Sequence, residues 1–291
     1  MKRCCQGLPR RIKKKGFFYR TTGRKKRVQR YVCTRCNKSF CERTHDFRYR
    51  QKKPHMNLPL FRLYANGMSQ RACAEILGLR RATVARKLTM LGKVCRRRNA
   101  RVKPRVGPTA TVVFDEMETF EHTKCKPVSI AIAVEEKTRH ILSVHVSKMP
   151  AKGRLARIAW KRYGYRRDMR KRGLTWMMKD LKKRTKDLTT MKSDECPRYP
   201  IHVLRHFPDV NHERFKGRRA CVVGQGEMKA GGFDPLFSLN HTCAMNRDHI
   251  KRLARKTWCT TKKRQRLQDF LDIYARYHNA KIAGKKRLVR F

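Results

Sequence analysis

The stretch TATVVFDEMETF, residues 109–120, decides how the second half of the chain reads. An apolar run, Thr111 to Phe114, ends at Asp115, a pattern that predicts a strand with an acid at its end. Glu116, Glu118 and Glu121 follow, so four carboxylates fall within seven residues of a chain that has only 21 acids. Like charges at that density repel, and bound cations or a basic surround must relieve them. Downstream, KPVSIAIAVEE and RHILSVHVSK are two more runs rich in β-branched residues, joined by a turn at EEKT, residues 135–138. Three strands with short connections predict an antiparallel meander.

Working outward, residues 150–188 are very basic, and LTWMMKDLKKRTKDL places Leu174, Met177, Met178, Leu181 and Leu188 at helical spacing. LTTMKSDE predicts a further strand ending at Asp194, with Glu195 next to it. Helices are predicted from about Ser238 to Lys256 and from Lys263 to His278. The order βββ-α-β-α predicts an α/β (α+β mixed) RNase H-like domain over residues 109–280, ahead of a basic tail at 281–291. In that fold the first and fourth strands are neighbours. Asp115 and Asp194 would then hold a pair of divalent ions suited to phosphoryl transfer. Hard oxygen ligands suit Mg²⁺, with Mn²⁺ as the substitute. The plainer reading is that both are surface acids or caps at strand ends.

Composition narrows the partner. The chain has 291 residues, 76 Lys and Arg, and a net charge of +55. Hydrophobic residues make up 40% and aromatics 9%, enough to bury a core, which argues against a disordered polycation. A charge that large calls for a polyanion, with nucleic acid the first choice and an anionic membrane surface the second. No apolar run is long enough to span a bilayer, and the basic N-terminus has no apolar export segment. The expectation is therefore a cytoplasmic, nucleoid-associated protein of a bacterium or archaeon, without disulfides. Most of the 12 cysteines, such as Cys73, Cys221 and Cys259, read as small buried hydrophobes.

Residues 1–108 hold 33 Lys and Arg against three acids, so about half of the net charge lies there. Residues 1–53 read as a zinc-ribbon-like module. CTRC has the spacing that lets Cys33 and Cys36 share a tetrahedral Zn²⁺, with Cys4 and Cys5 as the other pair, although adjacent cysteines make poor geometry. Cys41 or His45 could substitute, and a metal-free ribbon is the alternative. Residues 54–95 read as a helix-turn-helix, with Ser69 as N-cap, Gly78 as stop, and Val84, Leu88 and Leu91 on one face of the second helix. That helix would set Arg80, Arg81, Arg86 and Lys87 against DNA. Two packed helices with solvated charge is the plainer reading. RRRNARVKPRVGP, residues 96–108, reads as a basic linker.

Taken in order, CTRCNKSF, GMSQRACAEILGL, VVFDEMETF, MKSDECPRYP and NRDHIKRLARKTWCTTKK span most of the chain. This ordered set resembles a DDE-type insertion-sequence transposase related to the insertion-sequence-one family. The resemblance implies an enzyme that binds terminal inverted repeats of double-stranded DNA, cuts the strand and joins it to a target. It implies a homo-oligomer that brings two DNA ends together. Asp115 and Asp194 match the first two catalytic carboxylates, and Tyr199 would line the site. At the third position this sequence departs from the family, because counting back from Arg247 lands on Asn240 where the family has Glu. Asn offers an oxygen without charge. Asn240, Arg247 and Lys251 (offsets 7 and 11) would share a helix face holding one ligand and two phosphate contacts. Ordinary capping by Ser238 or Asn240 is the plainer reading. Glu227, in the glycine-rich GQGEMK, is the alternative third acid. His241 could touch phosphate or metal, and Trp160, Trp176 and Trp258 read as core anchors. No phosphate-binding GxxxxGK[ST] is present, so ATP dependence is not expected. The Asn also motivates a second hypothesis, an inactive transposase-derived DNA-binding protein. An RNA-binding ribosomal-type protein is a third.

Overall fold

Short runs of β-branched and aromatic residues between basic ones give the described part of the N-terminal unit, residues 1–55, three strands: β1 (Ile12–Tyr19), β2 (Arg27–Cys33) and β3 (Ser39–Phe40). They pair antiparallel in the order β1-β2-β3. The computed structural model describes residues 12–19, 27–101, 110–216, 234–254 and 259–284. Among its described residues, little is buried beyond Cys33 and Cys41. Phe17 instead stacks under the Arg27 guanidinium, 3.5 Å from its ring centre, and Tyr31 stacks on Phe40.

The second unit, residues 56–291, opens with α1 (Asn57–Ala65), α2 (Gln70–Ile76) and α3 (Arg81–Asn99). Ser69 caps α2, its side chain accepting from the Ala72 amide at 3.1 Å. Gly78 stops the helix with a φ of +56°, a value glycine reaches without penalty. Val84, Leu88 and Leu91 are fully buried on one face of α3, as their spacing requires.

The acid-rich stretch lies inside a strand and not past the end of one. β4 (Thr111–Glu121) continues through all four carboxylates, then turns at His122, with a φ of +65°, into β5 (Thr123–Glu135) and β6 (Ile141–Lys148). Next come α4 (Leu155–Tyr163), α5 (Arg170–Arg184), β7 (Thr190–Asp194), α6 (Tyr199–His206), β8 (Asn211–Phe215), α7 (Phe237–His249) and α8 (Arg264–Ile282). The sheet order is β6-β5-β4-β7-β8, antiparallel across the first three strands and parallel across the last. This mixed α/β sheet is consistent with an RNase H-like domain, and it sets the first and fourth strands side by side. Period-2 alternation splits the residues between two layers. Val113, Met117, Ile130 and Ile132 pack with α1, α3, α7 and α8, whereas Val112, Phe114, Ala131 and Ala133 pack with α5 and α6.

Four expectations change. The helices of residues 57–99 share one hydrophobic core with the sheet and form no separate unit; the boundary falls at 55/56. The predicted linker start at Arg96 is instead the last turn of α3, which lies closely against α8. A Cβ on Gly92 would come 2.6 Å from Asp269, Arg96 pairs with Asp272 at 2.6 Å, and the Asn99 amide donates to the Asp272 carbonyl at 3.0 Å. α7 ends at His249, where the Ile250 backbone leaves the helical range (φ −119°, ψ 87°) and its side chain is buried; Lys251 begins a separate short turn. α6 and β8 stand outside the expected order: α6 buries Tyr199, His202 and Val203 at helical spacing, whereas the polar strand β8, NHERF, has no apolar alternation to reveal it. Among the described residues, no helix is long and apolar enough to cross a membrane.

Candidate active site

The β4–β7 ladder fixes where the two aspartates stand. Thr111 pairs with Thr190, Val112 with Met191 and Val113 with Lys192, in parallel register. The pairing ends there, two residues short of both aspartates, which lie next along the same face of the two strands. The electrostatics agree. Asp115 is partly buried and its carboxyl is pushed up to about 6, first by burial and then by the charge of Asp194. Two donors work the other way: the Glu116 amide at 2.6 Å and the Tyr199 hydroxyl at 2.9 Å both reach Asp115 Oδ1. Asp194 Oδ1 accepts from the Cys196 amide at 3.0 Å. Tyr199 is 1% exposed, and its phenol is raised by burial and by the charges of Asp115, Glu116 and Asp194. That hydroxyl is bonded to Asp115 and lies within the electrostatic reach of Glu116 and Asp194. Behind them stands α7, where the Asp115 charge joins burial in pushing the Cys243 thiol up to about 12.

A basic surround absorbs the rest of the acidic cluster. Glu116 accepts from the Ser129 hydroxyl and pairs with Arg198 at 2.7 Å. Glu118 pairs with Lys152 at 2.7 Å. Glu121 pairs with Arg166 at 3.2 Å and accepts from the Arg264 amide at 2.8 Å. Of the four acids, Asp115 alone is held by neutral donors beside a second carboxylate. Arg198 is the site residue that the sequence reading missed. It lies four residues after Asp194 at the start of α6, and no local pattern identifies its partner.

Asn240 is not gathered into this cluster. It is exposed in the first turn of α7 and donates to Asp234 Oδ2 at 2.8 Å. Asp234 accepts from the Leu236 amide at 2.9 Å with its other oxygen, so it, and not Ser238 or Asn240, organises the helix start. Ser238 instead donates to the Glu136 carbonyl at 2.5 Å. His241 contacts Arg139 at 3.1 Å. Glu227 lies outside the described residues. Arg247 is on α7 near Cys243, but the helix stops before Lys251, so the expected common face of Asn240, Arg247 and Lys251 does not form. Among the described residues, no group of three or more His, Cys, Asp or Glu is placed to hold a metal ion. Two carboxylates are what the sheet brings together.

Arg80, Arg81 and Arg86 are exposed at the start of α3. Lys87 departs from expectation. It is 7% exposed and donates to Asn57 Oδ1 at 2.7 Å, because its position falls on the face of α3 turned to α1. In the N-terminal unit, Cys33 and Cys36 flank a tight turn closed by Asn37, whose amide donates to the Cys33 carbonyl at 2.8 Å and whose φ is +52°. Cys41 Sγ meets the Thr44 hydroxyl at 3.5 Å. Cys4 and Cys5 lie outside the described residues, as does the side chain of His45, so the proposed zinc ligands do not form a set of three among those described. Trp160 and Trp176 are exposed and not core anchors; Trp258 and Cys221 lie outside the described residues.

No protein-family model matches the chain, and no curated protein matches it. Among solved structures, the catalytic domain of the Mos1 mariner transposase aligns with 68% of this chain and 93% of its own, at 12% identity and a TM-score of 0.23. At that score the likeness carries no weight for chemistry, which rests on the residues above.

Proposed function

We propose that the chain is a DDE-type DNA transposase that binds terminal inverted repeats, cleaves the strand at the element end and transfers it to target DNA. The observation that supports this reading is that Asp115 and Asp194 stand on adjacent parallel strands, two residues beyond their last recorded pair, with the Asp194 charge acting on Asp115. Two hard carboxylates fit Mg²⁺, or Mn²⁺ in its place, since such ions are commonly held by one or two carboxylates plus the substrate phosphate. When bound there, the ions would activate the attacking water or 3′-hydroxyl and stabilise the leaving oxygen. The chain's own contribution is positional. Tyr199 fixes Asp115 Oδ1 and favours its ionised form. Arg198 holds Glu116 out of competition for the ions. Arg80, Arg81, Arg86 and Arg247 neutralise phosphates. Asn240 or Glu227 completes the site, Cys4, Cys5, Cys33 and Cys36 hold Zn²⁺, and two copies join two DNA ends.

The test is a cleavage and joining assay on DNA carrying the element's terminal repeats, with and without Mg²⁺. Metal-dependent nicking that disappears in both Asp115→Asn and Asp194→Asn supports the reading; nicking that survives both variants overturns it. A second reading, an inactive transposase-derived DNA-binding protein, is favoured by one observation: Asn240 replaces the expected acid and is tied to Asp234. Repeat-specific binding without nicking in Mg²⁺ or Mn²⁺ would select it.

A further inference from the structure

Between the turn after β6 and helices α4 and α5 lies an open cleft of about 950 Å³. Its wall carries four aromatic side chains, Trp160, Tyr163, Tyr165 and Trp176, and six Lys or Arg, with no Asp or Glu. Ordinary core residues do not look like this. Trp160 is 64% exposed and Tyr165 is 75% exposed, packed edge-on to each other with ring centres 6.2 Å apart. Lys126 sits over the Tyr163 ring at 3.9 Å and Arg172 over the Trp176 ring at 4.6 Å. From Pro150 to Arg172 the chain has ten Lys and Arg and a single acid, Asp168, which Arg170 takes up at 2.5 Å.

We propose that this cleft binds single-stranded DNA, stacking unpaired bases on Trp160 and Tyr165 while the surrounding cations hold the phosphates. A cationic groove alone would suit any polyanion. Exposed aromatic faces among cations suit a strand whose bases are free to stack, because a duplex keeps its base faces covered. The cleft also adjoins the far end of the acid-rich strand: its residues Arg166 and Arg264 both bind Glu121. Glu121 lies six residues along β4 from Asp115, about 20 Å at the rise of an extended strand. A strand unpaired near the carboxylates would reach the cleft. The choice of DNA over RNA rests on the proposed transposase activity; the stacking mode does not.

The test uses the full chain, without divalent metal, and fluorescence anisotropy with a labelled twelve-residue oligothymidylate. Comparison ligands are the same oligomer with abasic sugars, a duplex of equal length, and oligouridylate. The Trp160→Ala/Tyr165→Ala variant removes two exposed rings, and circular dichroism checks its fold. The expected result is about a tenfold or greater loss for the single strand, since stacking on an aromatic is worth about that per base. The duplex should lose little, and the variant should no longer distinguish the abasic oligomer. Equal losses for single strand and duplex, or none, overturn the proposal, as does tighter binding of oligouridylate. Because nothing is cleaved, failure here is separate from failure of the Asp115 and Asp194 assignment.

Discussion

Asp115 and Asp272 are both held near a pKa of about 6 by burial, yet their surroundings differ. Asp272 lies in the α3–α8 contact, where the Arg96 guanidinium reaches it at 2.6 Å and Gln268 and Asn99 complete its neighbourhood. Each feels a second carboxylate, Asp194 for Asp115 and Asp269 for Asp272, but Asp115 has only a backbone amide and a phenol where Asp272 shares a cation with its neighbour. An aspartate with its own arginine is doing structural work. An aspartate left beside another carboxylate with no cation between them stays ionised at a cost that a divalent cation would remove.

The largest effect expected of this difference is on chemistry. Asp115→Asn and Asp194→Asn should each lower metal-dependent cleavage at least about a thousandfold, roughly 4 kcal/mol of transition-state stabilisation. Folding should not suffer. The raised pKa of Asp115 means that its contribution to stability is present below pH about 4 and is lost as pH rises through about 6. Asp115→Asn should therefore flatten the decline in urea stability between pH 4 and 6, and a steeper decline would contradict the placement of the charge. Protection by Mg²⁺ should run the other way, growing as Asp115 ionises.

At the structural aspartate the same logic gives the opposite result. Arg96→Met leaves Asp272 buried without its cation and should cost about 3 kcal/mol at pH 8. The cost should shrink near pH 5, where Asp272 can take a proton instead. Urea melts at the two pH values measure the difference, and a pH-independent cost would sink the assignment. Gly92→Ala probes the same contact through packing. Its added methyl would meet the Asp269 Cα at 2.8 Å, a backbone atom that cannot rotate away, so about 2 kcal/mol of destabilisation is expected.

How much of this was legible in the sequence follows the same division. The strands that carry Asp115 and Asp194, the Ser69 cap, the Gly78 stop and the buried face of α3 could be read because each depends on local pattern: an apolar run, a cap, a stop, a helical period. The acidic cluster was visible, and so was its need for a basic surround. Its partners were not, because Arg198, Lys152 and Arg166 meet Glu116, Glu118 and Glu121 only through the folded sheet. Lys87 was misplaced for a related reason. A lysine on an otherwise basic helix reads as solvated until Asn57 from another helix supplies a buried oxygen. Trp160 and Trp176 failed in the reverse sense, since tryptophan is usually buried and nothing local marks the ones that are not.

The smallest effect is the one that tests the geometry most closely. Tyr199→Phe keeps the buried ring against Phe114, 5.0 Å between centres, and removes only the hydroxyl that donates to Asp115. Loss of one such bond costs about 1 kcal/mol, so cleavage at high pH should fall less than about tenfold. The hydroxyl favours the ionised carboxyl, so without it Asp115 should hold its proton to higher pH. The acid limb of the pH–rate profile should therefore move upward in the variant. A purely structural tyrosine would lower the rate, if at all, by the same factor at every pH. An unmoved acid limb would mean that Tyr199 supports the sheet and leaves the Asp115 charge to its other neighbours.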